Sequence, residues 1–170
     1  MAGIHLFYRD LKKILAGEMT MYSDLQDLLR QKQQVVVAND LDGLQDIISA
    51  EQDLLQEIAD TAAERDRVST ELARILNIRD RRITLTKIIN RSNPQEAAEL
   101  KEINARLKEH ITAIQVLNFE NQRLLNFAIY SIHELVSSIY GFDREKSGVY
   151  NLTGKIDTPR SESGIFNLQI

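Results

Sequence analysis

Apolar pairs return every seventh residue through the first part of this chain, at Phe7-Tyr8, Ile14-Leu15, Met21-Tyr22, Leu28-Leu29 and Val35-Val36, with Ile4, Leu11 and Leu25 between them. That period fits one face of an α-helix and not a strand, whose side chains alternate with a period of two. Ile4 to about Val37 is therefore expected to form one long helix, with an apolar stripe wider than a two-residue coiled-coil seam. Such a stripe must be buried against other elements, and that need sets the architecture. Glu18 and Lys32 interrupt it, and long side chains reaching water from the seam edge account for both. Gly17 weakens the helix locally by about 1 kcal/mol.

A second segment, from Asp40 to about Asn77, carries Leu44, Ile47-Ile48, Leu54-Leu55, Ile58, Ala62, Val68, Leu72 and Ile75-Leu76 at helical spacing. Asn39 or Asp40 is suited to cap its start, and Gly43 is tolerated in its first turn. So short a link between two periodic segments implies an antiparallel hairpin. Glu51 and Arg65 fall on the seam and are expected as solvated edge residues rather than members of a buried pair. The period then breaks at IRDRRITLTKIINRSNP, where Ile83, Leu85, Ile88 and Ile89 suit one short helix begun by Thr84 or Thr86. Its Arg79, Arg81, Arg82, Lys87 and Arg91 suit either a patch for phosphate or an acidic partner, or a solvated connector; the second reading carries more weight in an acidic chain.

Asn93-Pro94-Gln95-Glu96 is a helix-start signal: Asn93 as N-cap, Pro94 at the first helical position, Glu96 where a capping box closes. The helix it begins runs to Tyr140, near 70 Å at about 1.5 Å per residue. Its core stripe is Leu100, Ile103, Leu107, Ile111, Ile114, Leu117, Leu124-Leu125, Ala128, Ile132, Leu135 and Ile139. The expected fold is all-α: an elongated antiparallel bundle of three long helices plus a short connector helix over residues 1–140, followed by an irregular C-terminal tail, 141–170. Asn118 and Asn121 interrupt the last stripe, as buried amides that specify register.

The third helix has a second apolar face. At 100° per residue Val116, Phe119, Phe127 and Tyr130 share one narrow arc, nearly opposite Leu117, Leu124, Ala128 and Leu135, with Tyr140 at its edge, beyond Arg123 and Ser137. Aromatic residues grouped outward suggest an anchor surface for a partner; the connector, the tail or a second copy of the chain could equally cover it. The tail, GFDREKSGVYNLTGKIDTPRSESGIFNLQI, loses helical period but keeps Val149, Tyr150, Leu152, Ile156, Ile165, Phe166, Leu168 and Ile170. These are positions that order on a partner or dock on the bundle.

The chemistry of a reaction is not written here. His5, His110 and His133 lie far apart, and no phosphate loop or nucleophile motif is present. Without cysteine there is no thiolate site or disulfide. An enzyme, a cofactor and a bound metal are not expected. A net charge of -4 and a pI near 5.4 argue against nucleic acid as a partner. No run approaches the length of a membrane span and the start is unlike a signal peptide, so a cytoplasmic chain is expected.

Three patches resemble the FlgN family, flagellar export chaperones for hook-associated proteins: VVVANDLDGLQDIISAEQDLLQEI, the connector with its flanks ILNIRDRRITLTKIINRSNPQEAAEL, and LNFENQRLLNFAIYSIHELVSSIYGFD. The resemblance implies a chaperone that binds the helical ends of hook–filament junction subunits, prevents early assembly and delivers them to the type III export gate. It places the client on the end of the long helix and the tail, and implicates a tyrosine near the helix end, matched here by Tyr140 or Tyr150, in docking to the gate. The partner-binding set so defined is Val116, Phe119, Arg123, Phe127, Tyr130, Tyr140, Tyr150, Ile156, Ile165 and Phe166, on a chain that is a monomer or weak homodimer when free. The competing reading is a helical adaptor that self-associates through the same face.

Overall fold

The computed structural model describes residues 2–140, and all its regular elements there are helices: α1 Ala2–Val37, α2 Leu41–Ile75, α3 Leu85–Arg91 and α4 Pro94–Tyr140. α1 is the middle of the bundle. It packs against α2 on one side and α4 on the other, while α2 and α4 make no direct backbone approach among the described residues. Cross-helix partners fix the directions. Glu18 meets Arg65 and Lys32 meets Glu51, so α2 runs antiparallel to α1. Lys12 meets Glu99, Gln26 meets His110 and Gln33 meets Glu120, so α4 runs parallel to α1. The chain goes up, down and up again.

The seven-residue stripe of α1 is buried by this arrangement. Tyr8, Leu11, Leu15, Tyr22, Leu25 and Leu29 join Ile58, Val68 and Leu72 of α2 and Leu100, Leu107, Ile111 and Ile114 of α4 in one core. α3 closes the end at which α1 begins. Its Leu85, Ile88 and Ile89 enter the core, and Tyr8 Oη donates to Ser92 Oγ at 2.8 Å just beyond α3.

Asparagine ends both helices of the hairpin. Asn39 and Asn77 have φ of 55° and 56°, the left-handed conformation that asparagine tolerates better than most residues. After α1, Asp40 N–H donates to Val35 C=O at 2.9 Å and Asn39 N–H to Val36 C=O at 3.1 Å; after α2, Ile78 N–H donates to Ala73 C=O and Asn77 N–H to Arg74 C=O. This double pattern is the Schellman motif, which satisfies carbonyls a helix end leaves free. Asp40 then caps α2, its Oδ1 accepting from Gly43 N–H at 2.9 Å. Gly43 leaves room for this cap: a Cβ there would meet the Asp40 carboxylate, which would have to shift, and would lie 3.2 Å from Val35 Cγ1. Thr84 caps α3, accepting from Lys87 N–H, and Asn93 Oδ1 caps α4, accepting from Glu96 N–H at 2.9 Å. The Glu96 carboxylate goes to Lys12, 3.0 Å away, and so ties the start of α4 to α1.

The charged seam positions are not solvated edge residues. Glu18 is fully buried, with Arg65 Nη1 at 3.0 Å, and Lys32 and Glu51 form a second pair that is mostly shielded from water. Each pair crosses α1 to α2, and the order of charge is reversed between them, so a slipped hairpin would separate both. Desolvation lifts the Glu18 carboxyl above the ordinary carboxylate range despite the attraction of Arg65, and it raises the phenol of neighbouring Tyr22, which the Glu18 charge lifts further.

Breaking a buried pair from one side costs about 3–5 kcal/mol, whereas apolar replacement of both partners is often close to neutral. Arg65→Met is expected to lose about 3 kcal/mol in urea denaturation, and Glu18→Leu with Arg65→Met to recover most of it. A carboxyl whose folded pKa is raised adds stability that is full below its unfolded pKa and lost as pH rises through the folded one. The stability of the wild type relative to Glu18→Gln is therefore expected to improve as pH falls from 7 toward 4.

Candidate binding surface

The length mismatch between α1 and α4 produces the site. The α1–α4 register, set by Gln26 with His110 and Gln33 with Glu120, brings the last residue of α1, Val37, level with about Leu124. The cap at Asn39 stops α1 there, but α4 continues to Tyr140, a projection of about 24 Å at 1.5 Å per residue. Near this level Asn121, itself buried, ties the seam, its Nδ2 donating to the Leu29 carbonyl at 3.0 Å. Asn121 thus has the register role expected of it, while Asn118 faces solvent.

Past Asn121 the core stripe runs on beyond the end of α1, and no other helix among the described residues faces it. Leu124, Leu125 and Ala128 are half-buried, and Ile132, Leu135 and Ile139 are 55%, 60% and 68% exposed. Their expected place in the core is corrected here: the spacing is right, but α1 has ended. The second arc is exposed as expected, at Val116, Phe119, Phe127 and Tyr130. Ile129 and Val136, which the sequence reading did not single out, are exposed too, so the projecting segment offers apolar side chains around most of its circumference. Each such side chain contributes roughly 1.5–3 kcal/mol on full burial.

Two further features border this surface. Arg123 sits 5.9 Å from the centroid of the Phe119 ring, at the outer range of a cation–π contact. Gln33, Glu120, Arg123, Leu124 and Phe127 line a shallow recess of about 440 Å³. The hairpin tip beside it exposes Val37 and Leu41, giving the projecting helix an apolar step at its base. The connector does not reach this face, because Ser92 bonds Tyr8 at the opposite end of the bundle and Ile88 and Ile89 are spent in the core. Tyr140 is the last residue of α4. Tyr150, Ile156, Ile165 and Phe166 lie outside the described residues.

The basic connector is partly used within the fold. Lys87 Nζ pairs with Asp80 at 3.1 Å and donates to the Arg82 carbonyl at 2.9 Å. A cleft of about 490 Å³ between it and α2 mixes Arg65, Arg81 and Arg82 with Asp66 and Asp80, a balance of charge unlike a phosphate site. His110 Nδ1 lies 2.7 Å from Gln26 Nε2 and serves the α1–α4 seam. Among the described residues no group of three or more His, Asp or Glu could hold a metal ion, and no helix is long and apolar enough to cross a membrane.

A bundle of long helices whose apolar seam outlasts its internal partner is the architecture of a protein that binds other chains. The chain matches the FlgN protein family over residues 1–158 and belongs to that family of flagellar chaperones. Among curated proteins and solved structures, none matches it.

If the projection packs on nothing in the bundle, breaking it should leave the bundle intact. Ser131→Pro is expected to reduce helicity yet to change the free energy of urea unfolding by no more than about 0.5 kcal/mol. Leu107→Ala, inside the core, is expected to cost about 2–5 kcal/mol.

Proposed function

We propose that this chain is a cytoplasmic export chaperone that holds the helical ends of flagellar hook-associated proteins, keeps them from assembling early and delivers them to the type III export gate. Family membership supplies the flagellar chaperone role. The observation that carries the binding mode is the apolar projection of α4 beyond Val37. Subunit ends that pair as helices in an assembled structure expose apolar seams when alone, and an unfilled seam at helical spacing is the complementary surface. The client helix takes up the line of α1 where α1 stops, while Phe119, Phe127 and Tyr130, with Arg123 among them, anchor a further part of the client on the second apolar face. Tyr140, at the end of the projection, is the proposed contact to the export gate, with Tyr150 as its competitor. Ile156, Ile165 and Phe166 extend the client surface into the tail.

Phe119→Ala with Phe127→Ala is expected to weaken binding of a hook-associated protein at least tenfold in isothermal titration, since buried aromatic anchors commonly cost 2 kcal/mol or more when truncated. Helicity by circular dichroism should not change, because both side chains face solvent in the free chain. Unaltered affinity would remove this face from the client site. Sedimentation separates the chaperone from a self-associating adaptor: a monomer that forms a 1:1 complex with client, against a tight homodimer.

A further inference from the structure

The outward face of α4 is complementary to itself. Arg123, Phe127, Tyr130 and Glu134 are spaced by four, three and four residues, the spacing of a coiled-coil seam, on a helix unbroken from Pro94 to Tyr140. Phe127 and Tyr130 are 70% and 60% exposed, and Arg123 is exposed beside the Phe119 ring. The cation and the anion of this line stand three helical turns apart with the two rings between them. Arg123 and Glu134 are equally far from a point between Ala128 and Ile129, and so are Phe127 and Tyr130. A twofold axis through that point sets a second copy antiparallel, with Arg123 against Glu134 of the partner subunit and Phe127 against the partner subunit's Tyr130, each contact made twice. A parallel copy would instead oppose like charges, which is unfavourable. The line points away from α1, to which Asn121 ties the other side of α4, so a second copy meets α4 alone.

We infer that two copies of the free chain pair through this line as an antiparallel coiled coil of their α4 ends, weakly enough to exchange. Phe119, Phe127 and Tyr130 of both copies would together withdraw roughly 600–900 Å² from water, given their exposure and the area such rings bury. With the flanking side chains that reaches only the lower end of specific interfaces, about 1,000–1,200 Å², which separates this pairing from the tight homodimer of a structural adaptor. One consequence rests on the reading of this face as part of the client surface: client and second copy then exclude each other.

Charge exchange in the full chain tests it. Sedimentation equilibrium without client is expected to show a monomer–dimer equilibrium in the micromolar range. Arg123→Glu sets carboxylate against carboxylate at both ends of the pair, and Glu134→Arg sets guanidinium against guanidinium. Each alone is therefore expected to weaken self-association by about tenfold or more. Mixed in equal amounts, the two variants restore both attractive contacts, and a heterodimer close to the wild-type dimer in affinity is expected. Helicity by circular dichroism should be unchanged in both, since neither side chain enters the core. Three results would overturn the inference: a wild type that stays monomeric, which leaves the face to another occupant; single variants that associate as the wild type does, as a parallel pair would; or a mixture no stronger than either variant alone. Since no client takes part, failure here leaves the chaperone reading standing. A failure of client binding with the dimer intact would reject that reading alone.

Discussion

Everything at the working end of this molecule follows from where α1 stops. α1 is the one helix on which both α2 and α4 pack, so its apolar stripe defines the core and its last residue defines where the core ends. The stop is a local backbone event: Asn39 in the left-handed conformation, two reverse hydrogen bonds behind it, and Asp40 starting the next helix. Beyond that level α4 keeps the spacing of a buried seam, and no helix among the described residues fills it. The binding surface proposed here needs no dedicated pocket, because it is core-forming sequence left exposed.

Charge pairs on two sides of α1 fix how α2 and α4 lie against it. Glu18 with Arg65 and Lys32 with Glu51 set α2 against α1, while Lys12 with Glu96 and Glu99 sets α4 against α1 from the other side. Glu99 raises the Lys12 ammonium above its ordinary range and is itself held low by that lysine. The buried pairs contribute little net stability, since desolvation offsets most of the attraction. Their use is in register. It is a slip of α4 against α1 by one heptad, opposed by Lys12, Gln26 and Gln33, that would move Val37 by about 10 Å along α4 at 1.5 Å per residue and so lengthen or shorten its exposed part.

Much of the fold was legible in the sequence because it is written in period and caps. The seven-residue recurrence from Phe7 to Val36 and the Asn93-Pro94 start gave the long helices nearly to the residue, and Thr84 was one of two starts foreseen for α3. Asn77 marks a boundary by its place alone, and an asparagine directly after a Leu-rich turn is also a signal for the left-handed cap it makes. The burial of Glu18 with Arg65 is not legible, because a seam position alone does not say whether the facing helix carries the opposite charge; that requires the register. Ile132, Leu135 and Ile139 were misplaced for a related reason. Spacing shows that a stripe is fit for burial, but only the parallel register of α1 and α4 shows that no helix of the bundle remains to bury it. The exposed arc of Val116, Phe119, Phe127 and Tyr130 was legible because it lies opposite the core stripe whatever the register.

The central claim is that α4 beyond Leu124 is a seam awaiting a helix from another protein. Hydrogen exchange of the full chain, with and without the C-terminal helical segment of a hook-associated protein, measures it most directly. The account predicts that added protection falls on α4 amides from about Leu124 to Ile139 and on the hairpin tip around Val37 and Leu41, with α3 and the start of α4 unchanged. Protection gained at α3 and the connector, with the projecting end of α4 exchanging as it does in the free chain, would contradict it.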